Sequence, residues 1–200
     1  ATLAALGVGA VMLLFLKVNP IEAYAALWEG AFGSPNALAE TLTKATPLLL
    51  VALGICISFR GGVINIGGEG QMILGALTAT WLGLTFTDWP WWVLIPLAML
   101  FGFLGGAVWG GIPGVLKAYF NVNEILSTVM MNAIAVQLMN YLLRGPMIDP
   151  SQAELASKIP QTARLIEVLH LARLAPTRLH SGALIAVILA ILVYFLLWRT

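Results

Sequence analysis

Asn65, Glu69 and Gln71 fall within one short stretch, FRGGVINIGGEGQ, at residues 59–71. A second set, Asn123, Glu124 and Asn132, falls in NVNEILSTVMMNAIAVQLMN, where Glu124, Thr128 and Asn132 follow one another at i, i+4 and i+8. The amides each carry a donor and an acceptor, and the two carboxylates can hold a charge or a proton. That chemistry suits hydrogen bonding to a neutral polar solute, or proton binding. It does not suit covalent catalysis, because no nucleophile stands near a base. His170 and His180 lie ten residues apart in a connecting region and read as surface or interface residues. No cluster has metal-ligand spacing. No lysine follows the glycines as a phosphate-binding loop requires, and GGEGQMILG lacks the G-x-G-x-x-G spacing of a dinucleotide fold. Neither a cofactor, a metal nor an enzymatic activity is expected.

The surroundings of these residues are unusual for a soluble protein. The chain of 200 residues is 60% hydrophobic and 10% charged, against about 25% charged in a typical soluble domain. Mean hydropathy is +0.93. Such a chain in water exposes large apolar patches, so its solvent is lipid. A net charge of +1 gives no footprint for nucleic acid. The single cysteine, Cys56, lies in an apolar run, can form no internal disulfide, and reads as a small buried hydrophobe.

A membrane span needs about 20 apolar residues. Six stretches are expected to cross, near 1–18, 45–59, 71–86, 91–116, 124–143 and 181–198. The second and third are short, and Pro96 and Pro113 interrupt the fourth. The fold class is therefore an all-α, polytopic transmembrane helical bundle. The first residues, ATLAALGVGAVMLLFL, carry no initiator Met, and the last, LLWRT, directly follow an apolar run, so residues 1–200 read as a partial transmembrane domain cut at both ends.

The connections differ in character. Residues 19–44 are mixed polar and are expected to hold a short helix. TDWPWW (87–92) reads as a tight turn whose tryptophans belong at a headgroup boundary. Residues 144–180 form the longest excursion: Ser151 and Glu154 have capping-box spacing, and 164–173 reads as a poorly amphipathic surface segment. Gln137, Asn140, Tyr141 and Arg144 continue the polar stripe of the fifth span. Interhelical hydrogen bonds explain that stripe as well as a solute path does.

Two glycine patterns stand out. Gly102, Gly106, Gly110 and Gly114 recur every four residues and predict a groove for close helix packing. Gly61, Gly62, Gly67, Gly68 and Gly70 separate the two short spans and permit turns with positive φ. In lipid, irregular backbone survives only inside protein or along a watery cavity. Short, glycine-broken apolar segments are a pointer to a transporter's translocation site. Glu69, with Arg60 as its nearest charge in sequence, is a functional candidate on the same ground. The competing reading is an aqueous loop anchored by Arg60.

KATPLLLVALGICISFRGGVINIGGEGQMILGA (44–76) resembles the permease subunits of ATP-binding-cassette importers for nucleosides and simple sugars, within the family that includes the ribose and branched-chain amino acid permeases. NVNEILSTVMMNAIAVQLMNYLLRGPMIDP (121–150) is similar to the nucleoside branch, and LHSGALIAVILAILVYFLLWRT (179–200) is similar, more weakly, to the family's next helix. The resemblance implies a multi-pass prokaryotic plasma-membrane protein that pairs with a second permease subunit. It implies two cytoplasmic ATPase domains, where hydrolysis would take place, and an extracytoplasmic substrate-binding protein. It also implies that a coupling segment follows the last residues here.

The same resemblance puts Arg60, Lys117 and Arg199 inside and the other seven of the ten Lys and Arg residues outside, the reverse of the positive-inside preference. The expected solute path is lined by parts of 61–71 and 123–140, with Asn65, Glu69, Gln71, Asn123, Glu124 and Asn132 as its polar residues. Other readings are a permease of this family for a different solute such as branched-chain amino acids, an ion-coupled transporter using Glu69 or Glu124 as a proton site, and a membrane scaffold with no flux.

Overall fold

The computed structural model describes residues 1–153, 159–174, 177 and 179–199. Its regular elements are α1 (Thr2–Phe15), α2 (Pro20–Phe32), α3 (Pro35–Arg60), α4 (Gly68–Thr85), α5 (Trp91–Phe120), α6 (Glu124–Arg144), α7 (Pro150–Ala153), a 3-10 turn (Glu167–Leu169) and α8 (Gly182–Arg199). No strand occurs among the described residues beyond an isolated bridge between Arg173 and His180. Helices α3, α5, α6 and α8 are each long and apolar enough to cross a membrane. The pair α1 and α2, bent by 120°, makes a fifth if it counts as one broken span.

A helix lies over each of the six expected stretches, but the boundaries differ. The span expected at 45–59 is the second half of a 26-residue helix. Its polar first half is held by the Ser34 hydroxyl, which accepts from Ala37 N at 3.0 Å, and by a Glu40–Lys44 pair at 3.2 Å. Pro96 and Pro113 do not interrupt α5, which runs through both for 30 residues, about 45 Å at 1.5 Å per residue. Neighbouring helices re-satisfy a proline-freed carbonyl in such bundles. The polar link after α5 shrinks to residues 121–123, with Asn121 left-handed at φ 54°. The first stretch ends at Phe15, where Lys17 (φ 59°) turns the chain into α2 under an Asn19 cap.

By its contacts the chain divides into two units. The first comprises Ala1–Leu48 and Ala172–Ile188. Within it the Tyr24 hydroxyl donates to Leu6 O at 2.6 Å, closing α2 onto α1. The second comprises Leu49–Leu171 and Leu189–Thr200, and α4 is its centre. With Glu69, Gln71 and several glycines, α4 is not among the helices that could cross lipid on composition. It is instead sheltered by α5 and α6, and Gly68, Gly70, Leu77, Leu82 and Gly83 are buried.

The α4–α5 contact is backbone on backbone. A Cβ placed on Gly75 would lie 2.8 Å from Gly102 O, and the Thr78 hydroxyl reaches Phe101 O at 2.9 Å. Gly105, which the four-residue pattern passes over, faces Thr78 directly.

In the excursion at 164–173 the polar residues Arg164, Glu167, His170 and Arg173 are exposed. The segment holds only the 3-10 turn, and Leu165 and Leu169 pack onto Gly83 of α4. Ser151 is capped by Asp149, whose carboxylate accepts from Ser151 N at 2.9 Å. Glu154, expected to complete a capping box, lies outside the described residues, as do Lys158 and Arg178. Cys56 is exposed on α3 rather than buried; lipid is as apolar as a protein core, so an apolar side chain there gains nothing by facing inward.

Candidate functional site

The segment between α3 and α4 is the polar centre of the second unit. Helix α3 ends at Arg60, and Gly62 turns the chain with φ 75°. The chain then runs without regular secondary structure past Asn65 and restarts as α4 with Gly67 at the N-cap. Of the five glycines expected to allow positive φ, only Gly62 uses it. The later ones serve close approach. A Cβ on Gly68 would lie 2.6 Å from Val51 Cγ1, and one on Gly70 would lie 3.0 Å from both Asn132 Oδ1 and Trp109 Nε1. Gly68 and Gly70 belong to the first turn of α4 rather than to the break.

Two side chains of α6 hold this break. Asn132 Nδ2 donates to Ile66 O at 3.0 Å, and Asn132 Oδ1 accepts from Gly70 N at 2.9 Å. Thr128 Oγ1 accepts from Ile66 N at 3.4 Å while donating to Glu124 O at 2.7 Å. Asn132 stands eight residues into α6, about 12 Å along its axis. The α4 N-terminus is therefore sunk within the apolar length of the bundle, where unpaired peptide groups are costly, and α6 supplies their partners.

Asn65 and Gln71 close the other side. Asn65 Oδ1 accepts from Gly67 N at 2.8 Å and from Gln71 Nε2 at 3.4 Å. The backbone N–H fixes which end of the Asn65 amide is oxygen. That in turn fixes Gln71 with its NH2 toward Asn65. Asn65 Nδ2 and Gln71 Oε1 keep no partner among the described residues. Both residues line an open groove of about 430 Å³, whose remaining wall is Gly102, Phe103, Gly106, Ala107 and Gly110 of α5. The glycine stripe thus meets α4 at Gly102, Gly106 and Gly110, where Gln71 lies across the last two. Gly114 faces open space, and a Cβ placed there would have nothing within 4 Å. A four-residue repeat drifts about 40° per step on an α-helix, and α4 begins too late in the chain to reach that turn.

The other expected residues lie elsewhere. Asn123 is exposed and caps α6, its Oδ1 accepting from Ile125 N at 3.0 Å and Leu126 N at 3.2 Å. Glu124 is paired with Lys117 at 2.8 Å across the α5–α6 corner. Glu69 is exposed, and no ion pair joins it to Arg60 among the described residues. The structure therefore brings together Asn65, Gln71 and Asn132, and leaves Glu69, Asn123 and Glu124 outside that cluster. Thr128 and Trp109 join it. Thr128 is visible in sequence as part of the stripe, one turn before Asn132. Trp109 carries no such signal; its Nε1 is buried beside Gly70 with no hydrogen-bond partner. A second open groove of about 420 Å³ lies at the far end of α6, lined by Gln137, Asn140, Tyr141, Arg144 and Gly145.

Residues 37–200 match the family described as the branched-chain amino acid transport system / permease component. The chain belongs to this permease family. Among its relatives, the guanosine ABC transporter permease of Bacillus subtilis is 35% identical over 98% of this chain and 56% of its own length. The glucose ABC transporter permease of Haloferax volcanii is 36% identical over 99% of this chain and 53% of its own. A nucleoside ABC transporter permease of Lactococcus lactis is 35% identical over 68% of this chain and 38% of its own. This permease chain spans about half the length of the first two. No solved structure matches it. Membership of this permease family agrees with the four helices, among the described residues, that are long and apolar enough to cross a membrane.

Proposed function

We propose that the permease chain forms part of the translocation pathway of an ATP-binding-cassette importer for a nucleoside or simple sugar. The observation that carries this reading is the helix break held by Asn132 and Thr128 within the bundle, beside a groove edged by the Asn65 and Gln71 amides. Irregular backbone at that depth is tolerated beside a cavity, and a neutral polar solute needs convergent donors and acceptors. The names of the relatives, which carry guanosine, glucose or nucleosides, support the solute class. In this reading the chain crosses the membrane six times. It works with a second permease subunit, a cytoplasmic ATPase and an extracytoplasmic binding protein, in the inner membrane. ATP binding on the partner ATPases tilts the permease halves so that the site faces each side in turn. An ion-coupled mechanism is not favoured: the relatives are named as ATP-binding-cassette permeases, and Glu124 is already paired with Lys117.

The experiment is uptake by the full-length permease, reconstituted in vesicles with its ATPase and binding protein. ATP-dependent uptake of labelled nucleoside or sugar is expected. Flux that persists without ATP and collapses with an uncoupler would overturn the pump. Absence of any flux would leave a scaffold.

A further inference from the structure

We infer that the groove between α4 and α5 is a binding site for the hydrogen-bonding edge of a nucleobase, read by Asn65 Nδ2 as donor and Gln71 Oε1 as acceptor. This rests on the transport reading above and narrows it to one chemical class. The polarity of the two groups is set from the backbone outward. Gly67 N–H holds Asn65 Oδ1, Asn65 Oδ1 holds Gln71 Nε2, and the ends left over are one donor, Asn65 Nδ2, and one acceptor, Gln71 Oε1, on two residues that both line the groove. A planar base presents the complement, an acceptor next to a donor, along a single edge.

The rest of the groove selects among polar solutes. Its other wall is Gly102, Phe103, Gly106, Ala107 and Gly110, with no side chain able to donate or accept. The peptide groups of that wall lie in the interior of α5 and are spent on its own helical bonds. A flat ring can lay its apolar face on this wall while its edge meets the amides. A free sugar carries hydroxyls around its whole rim, and those facing the α5 wall would lose water without replacement, which is unfavourable. No charged side chain lines the groove, so the ammonium and carboxylate of an amino acid, or the phosphate of a nucleotide, would find no counter-charge there. The volume of about 430 Å³ lies within the usual range for small-molecule sites.

The test places one cysteine in the groove wall, Ala107→Cys, in an otherwise cysteine-free full-length permease assembled with its ATPase and binding protein. Maleimide labelling is followed with inosine, 1-methylinosine or ribose present, and ATP-dependent uptake is measured on the same preparation. Inosine at about ten times its dissociation constant is expected to slow labelling about tenfold by mass action. 1-Methylinosine, whose edge lacks the N–H, and ribose should not protect. Gln71→Met removes the acceptor and should abolish protection while leaving the Asn65–Gly67 bond. Asn65→Asp keeps the oxygen that Gly67 needs and replaces the outward donor, so it should also lose protection. The labelling rate without solute reports whether each variant is folded. Equal protection by ribose and inosine, or none by either in a preparation whose uptake is intact, overturns the base site and leaves the transport reading standing. A preparation with protection by inosine but no ATP-driven uptake supports the site and overturns the pump. One with neither overturns both.

Discussion

Asn132 on α6 and Gly70 on α4 are joined by a hydrogen bond of 2.9 Å, and the other end of the same Asn132 amide bonds Ile66 O at 3.0 Å. One side chain thus spans the start of α4 and the chain leading into it. Where two helices flank a break, the peptide groups that helical bonding would have satisfied must find other partners. Here a neighbouring helix provides them, so α6 and the break form one hydrogen-bonded unit.

Replacing Asn132 by Leu leaves a donor and an acceptor unpaired. The N–H of buried Gly70 costs about 1–3 kcal/mol when left unpaired, whereas the carbonyl of Ile66, an exposed residue, can turn to solvent and costs less. The full-length permease carrying Asn132→Leu should melt well below the parent. Asn123→Ala, which removes an exposed cap, should cost about 1 kcal/mol. Equal thermal shifts for the two would show that Asn132 does not hold the break.

Glycine substitutions should separate by sign. At Gly75 a Cβ would meet Gly102 O at 2.8 Å, backbone against backbone, with no side chain free to move aside. Gly75→Ala should lower stability and prise α4 from α5. Gly114 has nothing within 4 Å, and alanine is favoured over glycine in a helix interior by about 1 kcal/mol. Gly114→Ala should be neutral or stabilising in thermal melts of the purified protein. A loss at Gly114 would place another helix against that turn.

Trp109→Phe removes a buried N–H that has no acceptor and keeps most of the ring's packing. Leaving such a donor unpaired costs about 1–3 kcal/mol, so the variant should be at least as stable as the parent. Marked destabilisation in the same melts would mean that the indole N–H is bonded in the working protein.

The Lys117–Glu124 pair at 2.8 Å joins the end of α5 to the start of α6 and is partly open to solvent. Such pairs are screened by salt and contribute little. Lys117→Met and Glu124→Gln should each give a small thermal shift that shrinks in high salt. The double variant should shift no further than either. Additive losses would show that the two side chains act separately.

Glu69 is exposed and has no ion-pair partner among the described residues. If uptake is driven by ATP, Glu69→Gln should keep an ATP-dependent flux that resists an uncoupler. Loss of flux in this variant, with uncoupler sensitivity in the parent, would restore the ion-coupled reading.

Composition and run length alone place this chain in lipid as a helical bundle, because 60% apolar residues in long runs have no other stable arrangement. The glycine-broken stretch and the polar stripe of α6 are legible in the same way, since each is a local exception to an apolar background. The sequence also marks Gly102, Gly106, Gly110 and Gly114 as a packing face, because four-residue spacing keeps them near one side of a helix, but only the first three meet α4. Partnership is what it leaves open. Nothing in the spacing shows that Asn132 reaches Ile66 and Gly70, more than sixty residues away in the chain, or that Asn65 and Gln71 line one groove. Asn123 and Glu124 read as equals of Asn132 until the α5–α6 corner makes one a cap and the other an ion-pair partner. Hydrogen bonds are short-ranged and directional, so which amide meets which peptide group is decided only when the helices are packed.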